Sequence, residues 1–502
     1  MTTSLPFELS TDSVSDWLQS LSQLNSVNSA NQLNKIVKQL RGTKTEPQPL
    51  MQTLIQLTPT VLYITADIEL SGLVERDKDS DKQSLKIEKL CIQLLRNMSL
   101  AFCRCSEDKS LTMTEKAQGM YYALQFIAQT QRLSVLFYQM PSSTLWKKTA
   151  KIYQVASDEN ILDNEMQNKV KEFKQQLSIK AVIQRNCLFA LFRPNSFTTQ
   201  QIKQLFIIAD KYANLLAFDQ NGATDCLFSW NLMNGQAPSE EEKTYHSSES
   251  KVNMEISDFL ELIQTKAFSS TLDEALSNAL ITQLSGYKKQ VNASLPSAFV
   301  ISHLLTGMEA ITEYMEKVEK LNKIRQFSVQ LADNKPANNL TLEPMEFEKS
   351  HLNTKPDINS LNQQEIVPEH AKPVKILQTE DEQFFIAETP ALECEIGELT
   401  LLCPKKSPLE LGIIRQIKTT NYSNTTHILI EKIVGRPSFF HIAEPIISKN
   451  KAVLVSNEQS LDLFVAPCKI PKGMALLSVL EKEYIVGKLT DYSPSFMHFS
   501  VR

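Results

Sequence analysis

Between residues 10 and 330 apolar side chains return every three to four positions, the spacing that places them on one face of an α-helix. Leu33, Ile36, Val37 and Leu40 define such a face over 31–41, and Gly42 is expected to cap its C-terminus. Leu90, Leu94, Leu95, Met98 and Phe102 repeat the theme over 85–102. A long apolar helix is predicted over 114–140, interrupted by Pro141-Ser-Ser-Thr, and Trp146 opens the next, with Ile152 and Tyr153. Residues 184–192 read as a helix ending at Arg193-Pro194; another starts at Thr198 or Thr199 and carries Ile202, Leu205, Phe206 and Leu215. Helices are also expected over 256–267, 272–284 and 298–321. The exceptions are a strand within 223–233, around Cys226 to Leu232, and a polar loop running from Glu240 to Ser250. Trp146 and Tyr153 share a helical face as in a tetratricopeptide helix, but the pattern does not recur roughly 34 residues on. The pair is therefore assigned to packing between neighbouring helices.

Past Ser328 the period dissolves. Pro336, Pro344, Pro356, Pro368 and Pro373 fall among Asn, Gln, Glu and Lys, and no apolar face persists. After Phe384 short β-rich runs recur: 398–403, 411–418, 427–434, 438–442, 452–455, 461–465, 474–480, 484–489 and 496–501. In the last run Met497, Phe499 and Val501 alternate with Phe496, His498 and Ser500. The expected fold is α+β and multidomain: an all-α helical N-terminal body over 1–327 with an internal break near 220–255, a flexible linker over 328–383, and a small antiparallel β-barrel over 384–502.

Composition narrows the function. Only 12 glycines in 502 residues favour helix and disfavour phosphate-cradling loops, and no dinucleotide-binding, P-loop, nucleophile-elbow or zinc-protease motif occurs. A net charge of −5 gives no global field to recruit a nucleic-acid polymer or an anionic membrane, and no apolar run is long enough to insert into a bilayer. The amino terminus lacks a basic start followed by an apolar run, so a cytoplasmic location is expected. Eight scattered cysteines show no metal spacing and are expected to be free thiols; Cys103 and Cys105 are the only close pair. No pair of acids or nucleophilic triad stands out, which points to a binding protein rather than an enzyme.

The order Gly397-Glu-Leu-Thr-Leu-Leu, Leu411-Gly-Ile-Ile-Arg415, Phe464-Val-Ala-Pro467 and Tyr484-Ile-Val-Gly-Lys-Leu489 resembles gammaproteobacterial proteins that carry a PilZ-like barrel after a long helical region. Trp17-Leu18, Tyr138-Gln-Met-Pro141, Leu145-Trp146 and Ile152-Tyr153 extend the resemblance into the helical part. It implies a receptor for cyclic di-GMP that signals to protein partners. The chain departs from the PilZ pattern in having no two arginines four residues apart, and Asn421-Tyr-Ser423 supplies half of the second motif without its glycine. Asp491-Tyr-Ser493 is a similar partial match. The candidate ligand contacts are Arg415, Lys418, Arg436, Asn421 and Ser423, with Lys405-Lys406 beside them. Arg415, expected on one strand face with Ile413 and Ile417 unless a bulge rotates it outward, needs a partner there: a ligand phosphate, or Glu431 in a structural ion pair. The rival reading is a helical interaction scaffold whose barrel no longer binds nucleotide.

Overall fold

In the computed structural model the described residues are 5–501 except 22–24, 44, 75–80, 167–169, 174–176, 220–225, 241–249, 266–267, 269–273, 286–299, 334–370, 380, 391–393, 405–407, 421–424, 442–450, 458–459, 468–475, 480–481 and 494. The chain forms two compact units, Met1–Gln290 and Val291–Arg502.

The first unit is built mainly from ten helices among the described residues. They are α1 (Thr11–Leu21), α2 (Ser26–Gly42), α3 (Pro47–Val74), α4 (Asp81–Ser106), α5 (Met113–Leu136), α6 (Ser143–Asp158), α7 (Ile179–Leu191), α8 (Thr199–Lys211), α9 (Ser257–Ile263) and α10 (Glu274–Leu284). Local chemistry sets their starts. Asn25 caps α2, while Thr112 with Glu115 and Thr198 with Gln201 form reciprocal capping boxes at α5 and α8. At the end of α2, Gly42 is still helical and Thr43 is the cap, in an ordinary extended conformation, so the expected glycine cap does not form. Along the centre, Phe102 of α4 stacks on Tyr122 and Phe126 of α5 at 5.2 and 5.8 Å, and Phe173 meets both rings edge-on.

The body is not all-α. The expected strand is β2 (Phe228–Asn231), which joins β1 (Ala217–Asp219), β3 (Ser239–Glu240) and β4 (Lys251–Glu255) in an antiparallel sheet of order β1-β4-β2-β3. Trp146 and Tyr153 pack on this sheet, against Trp230 and Phe218, rather than between helices. Most of the expected polar loop, residues 241–249, lies outside the described residues; Glu240 instead belongs to β3 and pairs with Arg193.

The second unit begins with a strand where a helix was expected. Val300–Thr306 is β5, and the helix α11 runs from Met308 to Asp333. Leu304, Leu305, Met308 and Ile311 keep helical spacing across the junction, which conceals the break in the sequence; Gly307, at φ +83°, makes the turn. With β6 (Lys372–Gln378), β7 (Phe384–Thr389), β8 (Leu399–Pro404), β9 (Glu410–Thr419) and β10 (Thr426–Ile433), β5 closes a barrel of order β10-β7-β6-β5-β8-β9, antiparallel throughout. The unit boundary therefore falls at 290/291, not 327/328, and β6 occupies part of the expected linker. Linker residues 334–370 lie outside the described residues. The remaining runs make a separate six-stranded sheet, β11 (Arg436–His441), β12 (Lys451–Ser456), β13 (Leu461–Val465), β14 (Leu476–Val479), β15 (Lys482–Tyr492) and β16 (Met497–Val501), in the order β11-β12-β13-β16-β15-β14.

Cross-strand register places Ser302, Leu304, Val374, Ile376, Phe385, Ala387, Thr400, Leu402, Ile414, Ile428 and Ile430 on the barrel's inner face, all buried. A second core lies outside it. Leu399, Leu401, Leu411 and Ile413 meet Val453, Val455 and Phe464 of the six-stranded sheet, and α11 contributes Met308, Ile311 and Met315. Glu316 of α11 fixes the helix to Lys451 of β12 at 2.9 Å.

Two predictions follow from this packing. A Cβ on Gly412 would meet Ile430 Cγ2 at 2.5 Å and the Glu431 carbonyl at 2.8 Å, so Gly412→Ala should lower unfolding stability by about 1–3 kcal/mol in urea titration. Glu398 approaches Gly307 at the start of α11 and accepts from the Glu395 N–H at 2.9 Å; burial, aided by the Glu395 charge, pushes its pKa up to about 7. The folded state thus binds a proton that the unfolded chain, titrating near 4.5, has released, and stability falls as pH rises from 4.5 through about 7. Glu398→Gln should accordingly raise stability at pH 8 by roughly 2 kcal/mol and leave it unchanged at pH 4, measured by urea midpoints at the two pH values.

Candidate ligand site

On β9 the pairing to β10 runs Gln416 to Leu429 and then Ile414 to Ile430, so Arg415 is the extra residue of a β-bulge. The bulge overturns the expected face. Ile414 and Ile417 turn into the barrel beside Ile428 and Ile430, Ile413 turns to the outer core, and Arg415 projects to the surface with its side chain 39% exposed. Its Nε donates to Glu431 Oε2 at 2.5 Å, and its Nη2 stands 3.9 Å from Asp491 Oδ2 of β15. The Glu431 ion pair is thus formed, and with Asp491 it links the barrel to the six-stranded sheet. Such an exposed pair contributes about 0.2–1 kcal/mol. One guanidinium against two carboxylates leaves a local charge of −1, so a phosphate approaching the remaining N–H groups of Arg415 meets net repulsion.

The other candidates do not converge on Arg415. Lys418 lies further along β9, opposite His427 of β10. Arg436 opens β11 in the other sheet, exposed and opposite Ser456, directly after Gly435 at φ +144°. Asn421, Ser423 and Lys405-Lys406 lie outside the described residues. In the second partial motif Asp491 faces Arg415, and Ser493 Oγ accepts from the N–H groups of Ser495 and Phe496 at 3.1 and 3.2 Å, a turn-forming role.

A denser constellation sits in the helical unit. Arg132 of α5 forks onto Glu69 of α3, with Nη2 2.6 Å from Oε2 and Nη1 3.2 Å from Oε1, and Lys203 of α8 reaches Oε1 at 3.1 Å. Burial pushes the Glu69 carboxyl up, but hydrogen bonds and charge from Arg132 and Lys203 prevail and hold it below its usual range. From α7, Arg185 donates through Nη1 to Asp210 at 3.0 Å and through Nε to Asn186 Oδ1 at 3.3 Å. Both guanidinium carbons face the Phe206 ring, at 5.8 Å for Arg132 and 5.4 Å for Arg185, and Phe189 closes its edge at 5.2 Å. Arg185 and Asn186 are only 2% and 1% exposed, yet Arg185 Nη2 and Asn186 Nδ2 have no protein acceptor. Leaving such a donor unpaired costs about 1–3 kcal/mol.

Sequence reasoning passed over this cluster. Its signal was Gln184-Arg185-Asn186, three consecutive polar residues flanked by apolar ones in α7, all three of which the structure buries. Lys203, Phe206 and Asp210, at helical spacing on α8, were the second clue.

The remaining chemistry is quiet. Cys103 and Cys105 are free and buried, and burial raises both thiols to about 12. Among the described residues no group of three or more His, Cys, Asp or Glu side chains is placed to hold a metal ion, and no helix is long and apolar enough to cross a membrane.

Compared with protein families, residues 12–222 match the model described as the cyclic-di-GMP receptor FimW, N-terminal domain. No curated protein and no solved structure matches significantly. The matched segment runs from α1 to just beyond β1; it holds Glu69, Arg132, Arg185, Lys203 and Phe206 and stops well before the barrel. Residues 12–222 therefore form an N-terminal domain homologous to that of the cyclic-di-GMP receptor FimW.

Proposed function

We propose that the protein is a cyclic di-GMP receptor and signalling adaptor that performs no chemistry of its own and reports ligand to protein partners. The observation that carries this reading is the homology of residues 12–222 to a receptor domain. A closed barrel and a second sheet follow in the other unit, an arrangement compatible with a PilZ-type role. In that unit Arg415, Lys418 and Arg436 are the proposed contacts, with the ligand competing with Glu431 and Asp491 for Arg415. A second reading, a helical scaffold whose barrel has given up nucleotide, is favoured by one observation, the engagement of Arg415 by two carboxylates.

Calorimetric titration of the full chain with cyclic di-GMP separates them. The receptor reading expects saturable heat with a dissociation constant of roughly micromolar order, and silence at tens of micromolar ligand overturns it. Arg415→Ala should weaken binding at least about tenfold if that guanidinium donates to a phosphate, since one charged hydrogen bond contributes about 1.5–3 kcal/mol. Unchanged affinity removes the barrel from the ligand and leaves it as a partner-facing module.

A further inference from the structure

We infer that the face of the helical domain where Arg132, Arg185 and Lys203 gather round Phe206 binds the phosphate and purine groups of a cyclic dinucleotide. The inference rests on the receptor reading above and places the ligand on the helical unit instead of at Arg415. Three cations meet two carboxylates, Glu69 and Asp210, which leaves an excess positive charge beside an aromatic ring. A cyclic dinucleotide brings two phosphate charges and flat bases. Guanidinium forks suit phosphate oxygens and the O6/N7 edge of guanine alike, and a phenyl ring offers a stacking surface.

The pair of donors on α7 points the same way. Arg185 Nη2 and Asn186 Nδ2 lie in one hydrogen-bonded unit, through the Arg185 Nε to Asn186 Oδ1 bond, and neither has a protein acceptor. A ligand oxygen supplies what the fold omits. The α8 side of the cluster is the part that reaches solvent: Lys203 is 32% and Asp210 21% exposed and Phe206 is half-buried, so a ligand arriving there reaches the buried α7 donors by parting these side chains. Every residue of the cluster falls inside the segment homologous to a receptor domain, whereas Arg415 falls outside it.

A purely structural role for the cluster, tying α3, α5, α7 and α8 together, makes a different prediction. The test is cyclic di-GMP affinity of the full chain, by calorimetry, for Lys203→Glu, Lys203→Arg and Phe206→Leu, with a thermal melt for each. We expect Lys203→Glu to weaken binding at least about tenfold and Lys203→Arg to retain it, because a phosphate contact follows charge. Phe206→Leu should weaken binding about fivefold or more, as stacking is lost while apolar volume is kept. Hydrogen exchange should show ligand protecting α7 and α8 in the parent chain. Lys203→Glu and Phe206→Leu binding like the parent, with no protection on α7 or α8, overturns the location and leaves the receptor reading intact. No binding by the parent chain removes both.

Discussion

Strands β8 and β9 bury both of their faces, and the C-terminal unit is organised around that demand. Their inner residues, Thr400, Leu402 and Ile414, need the other four strands to close round them. Their outer residues, Leu399, Leu401, Leu411 and Ile413, need a second cover, which the six-stranded sheet and α11 provide. Neither the barrel nor the sheet hides this apolar surface alone. At about 25 cal/mol per Å² of apolar area, that shared layer outweighs any ion pair at its margin.

The same layer explains how far the fold was legible in the sequence. Nine strand runs after residue 398 were visible because each alternates or is continuously apolar over strand length, and the terminal alternation of Met497, Phe499 and Val501 holds in β16. What periodicity does not carry is partnership. Nothing in a run such as 398–403 says that its neighbours are β9, which follows it at once, and β5, about a hundred residues earlier. Thus one module was expected where a barrel and a separate sheet stand. β5 was absorbed into a helix because its last apolar residues continue the spacing of α11, and β6, with Pro373 and two lysines, was absorbed into a polar stretch. In the helical body the stripes were sound, and most expected helices lie within one or two turns of those observed.

The candidate site was less legible, for two different reasons. At Arg415 the ion pair with Glu431 is present, but a one-residue bulge moves the side chain from an apolar face to the surface. A bulge is decided by cross-strand register, which a single strand does not encode. In the helical domain the cluster is dispersed along the chain. Polar residues inside an apolar helix are expensive to bury and are kept only where partners are assembled from other helices. Arg132, Arg185 and Lys203 come from three segments, so no short motif announces them, while the buried Gln184-Arg185-Asn186 run does. The homology to a receptor domain lies in this part of the chain.

Closure also sets the two β assemblies apart in their exposure to other chains. A closed barrel has no terminal strand, whereas the neighbouring sheet ends at β14 on one side and at β11 on the other. That strand opens with Arg436 and Pro437, a charge and a residue without an amide hydrogen, placed where a foreign strand would otherwise continue the ladder. Arg436, chosen from the sequence as a ligand contact, forms with Pro437 the kind of guarded edge that discourages a foreign strand from pairing on β11.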